Sequence, residues 1–138
     1  MTVVTGLADE LLDAVNARDP LLATLDGFRD RDHLLGDFSE AGEAAASSRL
    51  DGIVRRARAI DPASLPAADR LTRTVILAYG RAQLDRLAAR GVEYTITPLY
   101  VAPAAELLFG LPMVGIVTSE HADGYLSRLR RVPGLLVT

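Results

Sequence analysis

Two histidines have the clearest chemical potential in this sequence, because imidazole is a common zinc ligand. His33 and His121 lie far apart along the chain, and Asp123 is a carboxylate near the second one. A zinc hydrolase helix carries two histidines one turn apart with a glutamate between them, and the sequence lacks that pattern. Zinc also needs three or four converging ligands. We therefore predict no metal and no cofactor, and interpret both histidines as exposed.

Three aspartates in one loop suggest a calcium site. Asp30 and Asp32 have the alternating spacing of calcium ligands, and Asp37 follows them. A calcium loop also needs further ligands at fixed positions and a closing bidentate glutamate. Leu34 and Leu35 occupy the following ligand region. We therefore interpret the aspartates as turn-forming residues.

Serine and glycine motifs do not indicate catalysis or nucleotide binding. Ser47, Ser48 and Ser119 lack the histidine and aspartate arrangement that accompanies a nucleophile elbow. The stretch 110–115 contains two glycines but is interrupted by proline, so it does not match a phosphate-binding loop. The sequence therefore predicts no catalytic residue, and we expect the isolated chain not to be an enzyme.

Composition excludes several classes of protein. With 138 residues, 49% of them hydrophobic, the chain is long enough to bury a core, and we predict a single domain over residues 1–138. The net charge is −3, which argues against a nucleic-acid-binding surface. The residues that come nearest to forming a basic surface are Arg128, Arg130 and Arg131, which we interpret as a solvated helix face.

The cellular compartment is predicted from features that the sequence lacks. The sequence has no cysteine, which excludes disulfides, thiolate zinc sites and a cysteine nucleophile. The first 13 residues carry no basic cluster of the kind that opens a signal peptide. No apolar run is long enough to span a membrane. We expect a cytoplasmic protein with no membrane partner and no nucleic-acid partner.

Apolar spacing predicts an all-α fold of about four main helices. The first helix carries an apolar stripe from Val4 to Val15 and should end at Asp19, before Pro20. Residues 21–38 are predicted to form an ordered loop with at most a short turn of helix. The second helix should begin at an N-terminal cap, Ser39, and end at Asp61 before proline. Its predicted buried residues are Ala46, Leu50, Ile53, Val54, Ala57 and Ile60.

The third helix is predicted to run from Pro66 to about Arg90, before Gly91. It carries two apolar stripes, so we expect it to be the central helix with neighbours on both sides. The first stripe contains Leu71, Val75, Ala78, Tyr79 and Ala82, and the second contains Leu77, Gly80, Leu84, Leu87 and Ala88.

An irregular apolar segment, 92–117, is predicted between helices 3 and 4, because prolines interrupt it three times. Thr118 or Ser119 should cap the last helix, which should bury Ala122, Tyr125, Leu126 and Leu129 and end before Pro133. The segment supplies our candidate interface or pocket residues, and for its tyrosines we favour packing at a core edge over lining a pocket. These candidates are Tyr94, Leu99, Tyr100, Leu108, Phe109, Leu111, Met113 and Ile116.

The order of these signals resembles the N-terminal part of the bacterial DUF885 proteins, large all-helical proteins similar to zinc metallopeptidases. The matching segments are 19–24, 61–65, 69–71, 97–99 and 125–133. The Tyr-Leu-x-Arg-Leu run before proline, at 125–133, is the most specific of them. In that family the HExxH-like metal motif lies in a later part, and no residue of this sequence corresponds to it.

The resemblance implies a non-catalytic helical scaffold or interaction domain that packs against a catalytic half or a second copy. The chain would then be a fragment of a longer protein or a natural small subunit. Because the segment 92–117 holds many large apolar side chains, we expect a homo-oligomer or a C-terminal catalytic partner. The alternative is a small-molecule-binding or hydrolytic protein with an apolar pocket around residues 94–117.

Overall fold

The computed structural model describes residues 2–90 and 103–135, and over these ranges the chain is helical. The α-helices are α1 (Val3–Arg18), α2 (Pro20–Leu25), α3 (Glu40–Ala59), α4 (Ala67–Ala88), α5 (Pro103–Gly110), α6 (Ser119–Leu129) and α7 (Val132–Leu135). Short 3-10 turns lie at Arg29–Arg31, Pro62–Ser64 and Leu111–Met113. The described residues contain no strand, so the predicted all-α class is confirmed.

The chain divides into two compact units. The first comprises Met1–Val15 and Glu43–Arg90, and the second comprises Asn16–Gly42 and Gly91–Thr138. The single domain expected from length stays a prediction.

The first unit is built on the apolar stripes of α1, α3 and α4. The stripes predicted for α1 and α3 face this core, because the 3.6-residue helical repeat gathers the apolar positions on one side. The buried cluster consists of Val4, Leu7, Leu11, Ala14, Leu50, Ile53, Ala57, Ile76 and Leu87. Of the residues predicted to be buried in the second helix, Leu50, Ile53, Val54 and Ala57 are buried, and Ala46 and Ile60 are partly buried against this core.

A glycine allows α3 and α4 to approach closely. A Cβ atom at Gly80 would lie 2.6 Å from the Cγ2 of Val54, so no larger residue fits without a shift. Arg73 of α4 then secures the end of α3: its Nε donates to the carbonyl of Ala57 at 2.9 Å and its Nη2 to that of Arg58 at 3.1 Å. These bonds satisfy carbonyls that have no partner within the helix.

The outward face of α4 corrects one prediction. Leu71, Val75 and Tyr79 belong to the stripe expected to touch a second neighbour, and all three are exposed. The second stripe supplies the buried residues Gly80 and Leu87. The expectation that α4 has neighbours on both sides is therefore wrong, because its core contacts come from one face.

Two Asp-Pro pairs end one helix and also begin the next helical segment. The Asp19 carboxylate accepts the backbone N–H of Leu22 at 2.9 Å and caps α2, and Asp61 accepts the N–H of Ala63 at 3.0 Å. Proline fits the first turn because its missing N–H has no partner there anyway. The sequence predicted the stops but described residues 21–38 as a loop, whereas Pro20–Leu25 is a helix.

The predicted N-terminal caps of two further helices are confirmed. The Ser39 hydroxyl accepts the N–H of Gly42 at 3.1 Å at the start of α3. The Thr118 hydroxyl accepts the N–H of His121 at 3.2 Å at the start of α6. Within the segment predicted to be irregular, α5 and a 3-10 turn occupy Pro103–Met113.

Candidate functional site

The predicted interface residues divide into two groups. Tyr94, Leu99 and Tyr100 lie outside the described residues. The other five lie on α5, on the 3-10 turn that follows it and on the stretch before α6, and they are Leu108, Phe109, Leu111, Met113 and Ile116. Leu111 is half-buried, and the other four are exposed.

An apolar surface of the second unit therefore faces solvent. We call it the 108–117 surface and define it by Leu108, Phe109, Met113, Ile116 and Val117. Leu108 is 73% exposed and Val117 is 83% exposed. Large apolar side chains at this exposure have gained almost no free energy from folding, since that gain scales with the apolar area removed from water.

The two histidines have different environments. His33 is exposed, whereas His121 is half-buried at the start of α6. The His121 Nδ1 accepts the backbone N–H of Val117 at 3.3 Å, which gives this imidazole a structural role at the helix end. Across residues 2–90 and 103–135, no group of three or more histidine, cysteine, aspartate or glutamate side chains is placed to hold a metal ion.

The aspartates of the loop are occupied by protein partners. Asp37 accepts the Ser39 hydroxyl at 2.6 Å and the Ser39 N–H at 3.0 Å, and these bonds hold the pKa of its carboxyl below the ordinary value. Asp32 lies after the 3-10 turn, as the turn-forming interpretation predicts. Its carboxylate is nevertheless buried, which the sequence did not predict.

Arg128 is the central residue of the second unit and is 0% exposed. Its Nε donates to the Leu34 carbonyl at 2.7 Å, and its Nη2 is shared among the Thr24 hydroxyl and backbone carbonyls. Those carbonyls belong to Pro20, at 3.1 Å, and Arg31, at 2.9 Å. One side chain of α6 thus fixes α2, the 3-10 turn and the chain after it.

Thr24 connects this arginine to a buried carboxylate. Its hydroxyl accepts from Arg128 and lies 2.8 Å from the Asp32 Oδ1, to which it donates. The Asp32 Oδ2 lies 2.6 Å from the Nη2 of Arg29. We call these four residues, Arg128, Thr24, Asp32 and Arg29, the Arg128 cluster.

The cluster contains two guanidinium groups and one carboxylate. Burial lowers the pKa of the Arg128 guanidinium, the negative charge of Asp32 acts in the opposite direction, and the Arg29 charge adds to the lowering. Arginine remains protonated in proteins, so the side chain is a buried cation. Its Nη1 is buried without an acceptor within the described part of the chain. Such a group costs free energy unless its neighbours compensate, which makes the cluster sensitive to the loss of any member.

Gly124 lets α6 reach the cluster. It lies one turn before Arg128 on the same helix face, and a Cβ atom there would lie 2.8 Å from the Cβ of Asp32. The close approach brings the guanidinium within reach of the carbonyls around Asp32. The predicted burial of α6 is wrong at two positions, since Leu126 and Leu129 are exposed.

A shallow cavity of about 210 Å³ lies elsewhere in the second unit. Asp37 and Arg131 give it opposite charges, and Phe38 and Leu35 give it apolar walls. Gly36 and the turn of α7 complete the lining. The Asp37 carboxylate already accepts two hydrogen bonds from Ser39, so the cavity has few free polar groups with which to orient a ligand.

Sequence reasoning missed the role of Arg128 by treating it as one of three solvated arginines. Arg130 and Arg131 are exposed as predicted, but Arg128 is not. The sequence does show that Arg128 follows Gly124 by four residues. This spacing places the glycine and the long arginine side chain on the same face of the helix.

The comparisons with known proteins point to one family. A family model described as "Bacterial protein of unknown function (DUF885)" matches residues 20–138, which include every member of the Arg128 cluster. No curated protein and no solved structure matches the chain. No helix among the described residues is long and apolar enough to cross a membrane.

Proposed function

Because the chain belongs to the DUF885 family of bacterial proteins of unknown function, we propose that it is a non-catalytic helical scaffold and interaction domain. In this role the second unit presents the 108–117 surface to a protein partner. In this proposal the apolar side chains are exposed because they contact the partner, and the chain itself carries out no chemical step.

The observation that carries this proposal is the contrast within the second unit. The Arg128 guanidinium is buried and donates from Nε and Nη2 to acceptors within the unit, whereas Leu108 and Val117 face solvent. The hydrogen bonds of Arg128 hold the second unit in one geometry, and the exposed apolar side chains are not needed for this. Such a unit is suited to present a preformed surface, because little ordering is needed upon binding.

Exposed apolar area is the energetic basis of the interaction. Soluble monomers rarely expose a contiguous apolar patch larger than about 300–600 Å². At about 25 cal/mol per Å², covering roughly 200–300 Å² of apolar surface contributes about 5–8 kcal/mol. This contribution is large enough to drive association once the entropy of ordering is offset.

The partner is either a catalytic half of a DUF885-like protein or a second copy of the chain. The resemblance of residues 19–24 and 125–133 to the N-terminal part of those proteins supports the first. These two segments include Thr24 and Arg128, so the resemblance covers two members of the Arg128 cluster. A scaffold of this kind would form part of the wall of the cleft in its catalytic partner.

Light scattering combined with binding of an apolar dye, anilinonaphthalene sulfonate, tests the proposal on the purified chain. We expect the dye to bind and the Val117→Glu variant to bind it several-fold less, because a charge then lies on the 108–117 surface. Val3→Glu is the matched control, since Val3 is also an exposed valine, at 75%, but lies in the first unit. A wild-type monomer that binds no dye would overturn the proposal.

The hydrolytic alternative is tested by metal analysis together with a peptidase and esterase screen. We expect no stoichiometric metal and no turnover above background. Robust turnover that is lost in His121→Ala would replace the scaffold with an enzyme. Because the His121 Nδ1 accepts a backbone N–H, the variant must also keep its helical circular dichroism for that result to count.

A further inference from the structure

The outward face of α4 is a second apolar surface, and it belongs to the first unit. Leu71 is 68% exposed and Val75 is 56% exposed, and Tyr79 is exposed one turn further on. Ala78 and Ala82 are also exposed between them. The helical repeat places Leu71, Val75, Ala78 and Ala82 within about 60° of one another. They form one continuous stripe.

The stripe lies on the side of α4 opposite to its core contacts. Ile76, Gly80, Gln83 and Leu87 are buried, and their mean direction is about 140° away from that of the stripe. The core of the first unit therefore does not use it. From Ala67 to Ala82 the charged residues Asp69, Arg70, Arg73 and Arg81 all lie off the centre of the stripe.

We infer that α4 pairs with the α4 of a second copy of this chain, antiparallel and about a two-fold axis near Leu77. This inference goes beyond the proposed scaffold role, since it uses another unit and another surface. The 4, 3, 4 spacing of Leu71, Val75, Ala78 and Ala82 is the apolar spacing of a helix seam. A two-fold interface requires a surface that is complementary to itself.

Side-chain sizes along the stripe satisfy that requirement. In the antiparallel register centred near Leu77, Leu71 faces Ala82 of the partner subunit, and Val75 faces Ala78 of the partner subunit. By symmetry the two alanines face the leucine and the valine in return. Every layer then combines a large side chain with a small one, which is the arrangement that lets two helices interdigitate.

The charges at the C-terminal end of α4 are mixed in this register, because Asp85 and Arg86 both lie about 50° from the centre of the stripe. Asp85 continues the stripe at the C-terminal end of α4, and in this register it lies opposite Ala68 of the partner subunit. The N-terminus of α4 begins after Pro66, which supplies no capping hydrogen bond. The carboxylate thus lies near the positive end of the partner helix, where anions are stabilised. Arg81, at the edge of the stripe, lies between Arg70 and Thr74 of the partner subunit.

The size of the contact sets the concentration at which to look for it. The stripe from Leu71 to Ala82 is about 18 Å long, so a single helix pair buries less than the roughly 1,200 Å² at which stable specific interfaces begin. We therefore expect a reversible dimer that forms at micromolar concentration. Sedimentation velocity of the full chain from 1 to 100 µM is the suitable measurement.

Matched valine substitutions test the surface. Val75→Arg places a charge at the centre of the stripe and should shift the dissociation constant upward by at least tenfold. Val3→Arg makes the same change at another exposed valine and should leave it within twofold. Asp85→Lys should weaken the dimer, and Asp85→Glu should preserve it. A wild-type monomer at 100 µM, or a dimer that Val75→Arg does not affect, would overturn the inference.

Disulfide trapping tests the direction of pairing, since the natural chain has no cysteine. A mixture of Val75→Cys and Ala78→Cys chains should form a 75–78 crosslink upon oxidation, because these positions face each other in the antiparallel register. Each variant alone should crosslink more slowly. Rapid 75–75 and 78–78 crosslinks would indicate parallel helices and overturn the pairing. This outcome is independent of the 108–117 surface, whose own test uses Val117→Glu.

Discussion

The guanidinium of Arg128 donates a 2.7 Å hydrogen bond to the hydroxyl of Thr24, although the two residues are 104 positions apart in the chain. Both side chains are buried, and the hydroxyl passes the connection on to Asp32. A contact between residues so distant in sequence closes the fold of the second unit. Its energetics can be tested by substitution.

Arg128→Met should destabilise the chain by about 3–5 kcal/mol, the cost typical of breaking a buried charge network. Methionine retains much of the apolar volume, but the carbonyls of Leu34, Pro20 and Arg31 lose the hydrogen bond from Arg128. Urea unfolding followed by circular dichroism measures the change. Arg130→Met is the control on the same helix, and as an exposed position it should change stability by less than about 0.5 kcal/mol. Equal effects of the two substitutions would contradict the central role of Arg128.

Thr24→Val should cost about 1–3 kcal/mol, because it keeps the shape of the side chain but leaves the Asp32 Oδ1 without its donor and removes one of the three acceptors of the Arg128 Nη2. Thr24→Ser keeps the hydroxyl and should retain most of the stability. In a double-mutant cycle, Thr24→Val should cost less in the Arg128→Met background, since one of the two lost bonds is already gone. Additive free energies of unfolding would show that the two side chains are not coupled.

Two helical glycines should respond to alanine with opposite signs. At Gly124 the new Cβ would lie 2.8 Å from the Asp32 Cβ, so the helix must shift, at a cost of about 1–3 kcal/mol. At Gly52 a Cβ would meet nothing within 4 Å, so alanine should stabilise by about 0.5–1 kcal/mol through its better helix propensity. Thermal melts of both variants check the contrast. Destabilisation at both glycines would show that close packing at Gly124 is not the cause.

The helices and the core of the first unit were predictable from the sequence. Leu7, Leu50 and Ile53 lie in apolar stripes with helical spacing, and one-sided burial produces that spacing directly. The same rule failed for the first apolar stripe of α4. Apolar spacing shows that a helix face is suited to burial, but it does not show which element, if any, packs against that face. Leu71 and Val75 of this stripe are exposed.

Arg128 was not predictable by the same rule. Apolar patterning assigns charged residues to solvent, and here it assigned Leu126 and Leu129 to the interior instead. The acceptors that make burial of the arginine favourable are backbone carbonyls up to 108 positions away. Sequence spacing does not contain such long-range information. Of the candidate site, the described members Leu108, Phe109, Met113 and Ile116 are exposed, and their role as an interface stays a prediction.

Acid should weaken an ion pair on the surface of the first unit. The Arg56 guanidinium donates to the Glu10 carboxylate, and this hydrogen bond holds the pKa of Glu10 below its ordinary value. Because the folded-state pKa is lower than the unfolded one, at about 4.3, the pair contributes stability above that pH. The contribution is lost as pH falls through the folded-state pKa.

Glu10→Gln should therefore lower the melting temperature slightly at pH 6, and the difference from wild type should vanish as pH is lowered towards about 2. The same difference should shrink at about 1 M salt, since the pair is exposed and screened. Asp9→Asn is the neighbouring control, because Asp9 forms no ion pair within the described part of the chain. Melting curves by circular dichroism at several pH values measure both variants. A difference between wild type and Glu10→Gln that stays constant across this range would show that the Glu10 charge, and with it the Arg56 pair, does not contribute to stability.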